Sequence, residues 1–282
     1  MAASATAAAA ASEVDKNGAV TGPTRFVWVS TDDRVAVATR LHGAADAPVA
    51  LVIAHGFTMT STDRRLASLA VLLAEAGRAV YTFDFRGHGR SGGTSTLGDL
   101  EIADLEAVVR LAREHAHEKV VVIGASMGGF VALRHAALLG GADAVIAIST
   151  PAVWGVSPRL RARALVAAAQ NRVGRRILSA RGTRVAGGLG EPPSSPADLA
   201  PAITIPVALV HGDRDPYVPV DDAVLLHDRL SGYRRLVILP GFGHAETAYT
   251  RDFAPLLDSL VDDLLRRQPP ATAGVAGGCR DR

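Results

Sequence analysis

Short apolar runs of strand character alternate along this chain with longer segments of helical periodicity, and that alternation narrows its fold more than any other feature. VALVIAH, RAVYTFD, KVVVIG, AVIAIST, IPVALVHG and RRLVILP are brief, nearly continuous apolar stretches, as strands covered on both faces require. Between or after them lie segments with helical spacing. DRRLASLAVLLAEAG has Asp63 near its start and Gly77 as its stop, and a stretch from about 98 to 117 buries Leu105, Val109 and Ala112. Others pass through His135 and Leu138, along DDAVLLHDRL, and from about Thr250 to Arg266. TRFVWVS and RVAVATRL, separated by the polar turn TDD, read as an antiparallel hairpin ahead of the series. Strands alternating with helices predict a three-layer α/β fold, a mostly parallel central sheet with helices on both faces. In such sheets ligands bind at the carboxyl ends of the strands. Chemistry is therefore expected where VALVIA, YTFD, VVVIG, VALVHG and LVILP run out.

The 282 residues can bury one large core without a second domain. Residues 1–22 and 268–282 are low-complexity and read as a disordered leader and tail around a domain spanning 23–267. The leader has no basic start and no Leu- or Val-rich run, so it makes a poor signal peptide, and a cytoplasmic location is the expectation. No apolar run reaches the roughly eighteen residues of a membrane span. The single cysteine, Cys279, rules out an intramolecular disulfide. A formal net charge of +2 is too small to argue for nucleic acid or a membrane by itself.

Gly124-Ala125-Ser126-Met127-Gly128 follows the run KVVVI and fits G-x-S-x-G. A serine thrown out of a tight corner between strand and helix leaves no room for side chains at the flanking positions, which glycine resolves. The helix beginning behind Ser126 turns its free N–H groups toward whatever the hydroxyl attacks. A serine hydroxyl needs a base. His244, in GFGHAE after the strand RRLVILP, hangs at the right sheet edge. The base needs a carboxylate in turn. HGDRDPYVP offers Asp215 for that role, and Asp213, nearer the strand end, as a shaper of the loop. Backbone N–H groups of Met127 and of Phe57, in His55-Gly56-Phe57-Thr58, are the expected oxyanion donors. His115 and His117, two apart near a helix end, are expected to face different ways and make a poor metal pair. His42, His135 and His227 read as ordinary surface or packed residues. No metal cluster or phosphate loop is evident, so neither a metal nor a cofactor is expected.

Taken together, VIAHGF, YTFDFRGHGRSGG, GASMGG, HGDRDPYVP and GFGHAE resemble the α/β-hydrolase superfamily, in its motif order and across residues 51–246. The likeness is greatest to the branch of monoacylglycerol lipases, esterases and serine aminopeptidase-like hydrolases. It implies Ser126 as nucleophile, His244 as base and Asp215 as orienting acid. It also implies that Asp84 and Arg86 hold the loop after a strand, with His88 structural. A superfamily of many chemistries does not dictate a substrate.

Between Pro151 and about Pro201 the strand pattern lapses, and a cap over the site is expected there. Residues 157–186 carry eight arginines and no Asp or Glu. Val166, Ala169, Val173 and Ile177 recur at roughly helical spacing, suggesting a basic amphipathic helix over the mouth. That charge suits an anionic substrate such as a carrier-bound acyl group, an anionic membrane surface, an acidic protein partner, or simply a solvated face. Nucleic acid is disfavoured because no aromatic residues interleave with the arginines. Val153 and Trp154 are candidates to line an acyl pocket. The expected activity is metal-free hydrolysis of a carboxylic ester of a small or lipid-like acyl substrate through an acyl-enzyme. A thioesterase or amide hydrolase with the same triad, and a non-catalytic binding module on the same fold, are the alternatives. Oligomeric state is not written in these residues.

Overall fold

The apolar runs become the strands of one sheet in the computed structural model, which describes residues 24–267 apart from 156 and 248. The leader and tail expected at 1–22 and 268–282 lie outside the described residues. The strands are β1 (Thr24–Ser30), β2 (Ala36–His42), β3 (Val49–Ala54), β4 (Ala79–Phe83), β5 (Lys119–Ala125), β6 (Ala144–Ile148), β7 (Val207–Gly212) and β8 (Arg234–Leu239). They pair in the order β1-β2-β4-β3-β5-β6-β7-β8. Only β2 runs against the rest: it is antiparallel to β1 and to β4, and every other pairing is parallel. The expected hairpin and three-layer architecture are both present.

The helices are α1 (Arg64–Glu75), α2 (Glu101–Glu114), α3 (Met127–Leu138), α4 (Leu160–Gln170), α5 (Arg172–Ala180), α6 (Pro196–Leu199), α7 (Val220–Arg229) and α8 (Ala254–Arg266). Strand alternation divides the core. Leu51, Ile53, Val121 and Ile123 meet α1 and α8 through Leu66, Leu69, Leu257 and Leu264 on one face. Val52, Ala54, Val120 and Val122 meet α2, α3 and α7 through Leu105, Val108, Val131 and Leu226 on the other. The last α-helix starts at Ala254 rather than near Thr250, after a short 3-10 turn over Arg251–Phe253. Pro255 explains the offset, because proline is favoured in a first turn and breaks a helix interior.

Between β6 and β7 the region expected as a cap holds α4, α5 and α6. Instead of one amphipathic helix, the chain breaks at Asn171, whose extended backbone (φ −105°, ψ 153°) ends α4 and whose side-chain oxygen accepts from Gly174 N to start α5. The small α6 is not part of the cover, since its Ala197 and the adjoining Ala200 are fully buried in the main core. His115 and His117 do not face apart: they converge on the Tyr81 hydroxyl at 2.6 and 2.8 Å. The helix ends at Glu114 and Ala116 takes φ 61°, so helical spacing no longer governs that pair. Among the described residues no group of three or more His, Cys, Asp or Glu could hold a metal ion.

Loops above the strand ends are fixed by buried polar groups. Asp84 accepts from Ser61 N and Oγ, both at 2.7 Å, and from Arg90 N at 2.9 Å. Arg86, 3% exposed, donates to the fully buried Asp104 through Nε and Nη2, and to Asp33 through Nη1 and Nη2. Removing one member of a buried pair strands the other charge, which typically costs about 3–5 kcal/mol, whereas exposed pairs contribute under about 1 kcal/mol. Arg86→Met is therefore expected to lower the unfolding free energy in urea by about 3–5 kcal/mol, and Arg110→Met, which breaks the exposed pair with Asp32, by less than about 1 kcal/mol. Equal effects would show that burial of Arg86 is not what anchors this loop.

Candidate active site

Ser126 sits between β5 and α3 with φ 54° and ψ −115°, a backbone that L-residues rarely adopt. The glycines make it possible. A Cβ on Gly124 would lie 2.4 Å from the Gly128 carbonyl oxygen, and one on Gly128 would lie 2.1 Å from that of Ala54. Serine in this position before a helix ordinarily spends its hydroxyl on capping the first turn. Here the side chain makes no capping bond, so the hydroxyl is left to the cavity it lines. The corner is tied down on both sides, with Ser126 N donating to Ile148 O at 2.8 Å and Phe130 N donating to Ser126 O at 3.0 Å.

Asp215 follows β7 and His244 follows β8, and the two meet: His244 Nδ1 lies 2.7 Å from Asp215 Oδ2. The other carboxylate oxygen accepts from Tyr217 N at 2.8 Å and Val218 N at 2.9 Å. Burial alone would raise the Asp215 carboxyl, but the hydrogen bond and charge of His244, with those two N–H groups, hold it below its usual range. An ionised Asp215 accepts a hydrogen bond from the Nδ1–H of His244, which keeps the proton on Nδ1 and leaves Nε2 as the basic nitrogen. Asp213 accepts from Gly241 N at 2.7 Å, bracing one loop against the other as a loop-shaping residue should.

Ser126, Met127, Phe57 and His244 all line one cavity of about 630 Å³ at the strand ends. Its walls are mostly apolar, with Met59, Leu97, Phe130, Trp154, Leu165 and Val166 prominent. Both Val153 and Trp154 are there, and Trp154 is fixed by Nε1 donating to Leu97 O at 3.1 Å. Met127 N belongs to the first turn of α3, where N–H groups have no intrahelical acceptor. A larger cavity of about 860 Å³ lies elsewhere, lined by Arg25, His42, Asp46, Glu75 and His115, and holds none of these groups.

His55 does not line the cavity. Its Nε2 accepts from Phe85 N at 3.0 Å while Nδ1 donates to Gly56 O at 2.8 Å, so it joins two loops as a neutral ring. Burial, with the charge of His88 next, lowers it to about 3. His88 is fully buried, and its Nδ1 donates to Arg86 O at 3.0 Å. The remaining histidines singled out are packed or superficial: His135 is buried against Glu106 at 2.7 Å, His42 lies between Thr24 and Thr82, and His227 is near Asp228. Of the cap arginines, Arg163 lines the cavity together with Arg64 and Arg65 of α1, while Arg172, Arg175 and Arg176 do not.

Three residues at or behind the site escaped the sequence reading. Glu101 is fully buried and accepts from Ser95 Oγ, Thr96 N, Thr96 Oγ1 and Gly98 N, which sets the loop that carries Leu97. His211, one residue before the end of β7, has Nε2 donating to Val218 O at 3.1 Å and lying 3.6 Å from Asp215 Oδ2. Burial lowers its pKa, so it stands beside Asp215 without competing as a cation. The Tyr217 ring lies 4.9 Å from that of His244.

Comparison with known proteins bears on the family and the fold. The family described as "Serine aminopeptidase, S33" matches residues 45–187. The chain is 33% identical over 229 residues to a monoacylglycerol lipase of Mycolicibacterium smegmatis, covering 69% of this chain and 80% of that one. It is 31% identical to the uncharacterized protein YqkD of Bacillus subtilis, covering 77% of this chain and 73% of that one. Among solved structures, the Pyrococcus furiosus esterase Pf2001 superposes with a TM-score of 0.68 at 23% identity, covering 87% of this chain and 92% of that one. The esterase RhEst1 from Rhodococcus does so with a TM-score of 0.68 at 19% identity, covering 85% and 99%. These chains share the fold. The family match and the 33% identical relative go further: this chain belongs to the serine aminopeptidase S33 family of α/β-hydrolases.

Proposed function

We propose that the protein is a serine hydrolase that cleaves carboxylic esters with an apolar acyl group. The observation that carries this reading is one cavity that brings the unspent hydroxyl of Ser126 together with His244, itself held by Asp215. Ser126 Oγ attacks the ester carbonyl while His244 Nε2 takes its proton. The carbonyl oxygen becomes an oxyanion facing the N–H groups of Met127 and Phe57, each worth about 3–4 kcal/mol to such a transition state. The tetrahedral intermediate collapses, the imidazolium protonates the departing alcohol, and Ser126 is left acylated. Water activated by the same histidine then releases the acid and restores the serine.

The preference for esters over peptides rests on the cavity lining. Asp63 is the one carboxylate among its lining residues, and its Oδ1 already accepts from Arg65 N and Leu66 N at the start of α1. A group able to hold a peptide's terminal ammonium is thus already engaged at one oxygen, whereas apolar side chains are plentiful. The monoacylglycerol lipase among the relatives supports the same choice.

Two outcomes follow. On a series of nitrophenyl esters, kcat/KM should rise about fourfold per methylene, from the roughly 0.8 kcal/mol that burial of each contributes, until the cavity is filled. The matching anilides should be turned over far more slowly, and faster anilide than ester turnover would favour an amide hydrolase. Asp215→Asn should retain the fold yet lower kcat by about 10³–10⁴-fold, because the amide stabilises the wrong tautomer of His244. A loss below tenfold would remove Asp215 from the machinery.

A further inference from the structure

The outer face of α4 and α5 takes no part in the hydrolytic reading. Leu160, 78% exposed, and Val173, 66% exposed, are the most exposed large apolar side chains among the described residues, and Ile177 is 50% exposed. Val173 and Ile177 stand one turn apart on α5. They do not face the cavity as the helical spacing suggested, because Gly174 and Leu178 take the inward side of that helix. A Cβ on Gly174 would lie 2.2 Å from Ala168 O of α4, and Leu178 packs with Ala169 and Val185, beside Phe57 and Leu97. The helix is therefore held by one face and presents another to solvent.

Scattered exposed apolar residues are ordinary; their surroundings here are not. Between Asp143 and Glu191 the chain has no Asp or Glu. Arg159, Arg161, Arg172, Arg176 and Arg181 are exposed and form no ion pair among the described residues. Aliphatic side chains with arginines around them suit the boundary between lipid headgroups and acyl chains. Aromatic side chains that would stack on bases are missing from these two helices.

We propose that α5 and the start of α4 dock the protein on an anionic phospholipid surface, with Val173, Ile177 and Leu160 entering the headgroup boundary and the arginines meeting the lipid phosphates. Ala162, Leu165 and Val166 of the same α4 line the cavity, so the element that touches lipid is also a wall of the acyl site. The docking itself does not require the hydrolytic reading to hold.

Co-sedimentation of the full chain with vesicles of phosphatidylcholine alone, and of phosphatidylcholine mixed with phosphatidylglycerol, tests this. The wild type should bind the anionic vesicles at least tenfold more tightly than the neutral ones and lose that binding at high salt. Val173→Ser with Ile177→Ser, and separately Arg172→Gln with Arg176→Gln, should each weaken it by about tenfold or more while leaving hydrolysis of a soluble short ester unchanged. Ser126→Ala should bind vesicles like the wild type, so loss of the chemistry and loss of docking are read independently. Equal partition to both vesicle types, or anionic binding untouched by either double substitution, would overturn the proposal. So would a wild-type dimer in light scattering that Val173→Ser with Ile177→Ser dissolves, since the face would then serve a second copy of the chain.

Discussion

The site depends on one tight reversal of the chain at Ser126. β5 is paired on both sides, by β3 and β6, and α3 must start immediately behind it. A backbone at φ 54° costs on the order of 1–3 kcal/mol and persists only where its surroundings over-determine it. Here they do, through the hydrogen bonds to Ile148 and Phe130 and through glycines whose hydrogen atoms stand where any Cβ would strike carbonyl oxygens. The strain has a chemical result. It keeps the serine from capping its own helix while the amide of Met127 stays at the helix start.

The other groups reach the same cavity from different strand ends, and each arrives on a loop held by buried polar contacts. Asp215 and His244 leave β7 and β8, neighbours in the sheet, and the bond between Asp213 and Gly241 ties their loops together. Phe57 leaves β3, beside which His55 joins the loop to Phe85. Leu97 and Trp154 are placed through Glu101, a carboxylate that spends itself on four donors in one loop. Parallel strands thus supply the common direction, and these bonds supply the geometry.

The fold was legible because both periods were clean. Continuous apolar runs marked β3 to β7, and helical spacing marked α1, α2 and α8. Ser126, Asp215 and His244 were singled out from small motifs at predicted strand ends; although 118 positions separate the first from the last, Ser126 and His244 line one cavity and Asp215 bonds His244. Side-chain direction was harder. Val173 and Ile177 kept helical spacing with Val166 and Ala169, but the break at Asn171 starts a new helix whose inward face falls on Gly174 and Leu178. Glycine carries no hydropathy signal, so its role as the contact face was invisible. Glu101 had no capping signal, since it is the first residue of α2 and its carboxylate reaches back into the loop, to Gly98 N, past the cap position at Leu100. His211 and Tyr217 had none, since their relation to Asp215 and His244 is set by the loop's path.

Under the proposed chemistry Ser126 is an activated nucleophile, made so by His244 and Asp215. Intact-mass spectrometry after treatment with a fluorophosphonate tests it most directly. A single phosphonyl adduct is expected, mapped by peptide sequencing to Ser126, absent from Ser126→Ala and slowed at least a hundredfold in His244→Ala. An unmodified, folded wild type, or an adduct that persists in Ser126→Ala, would contradict it.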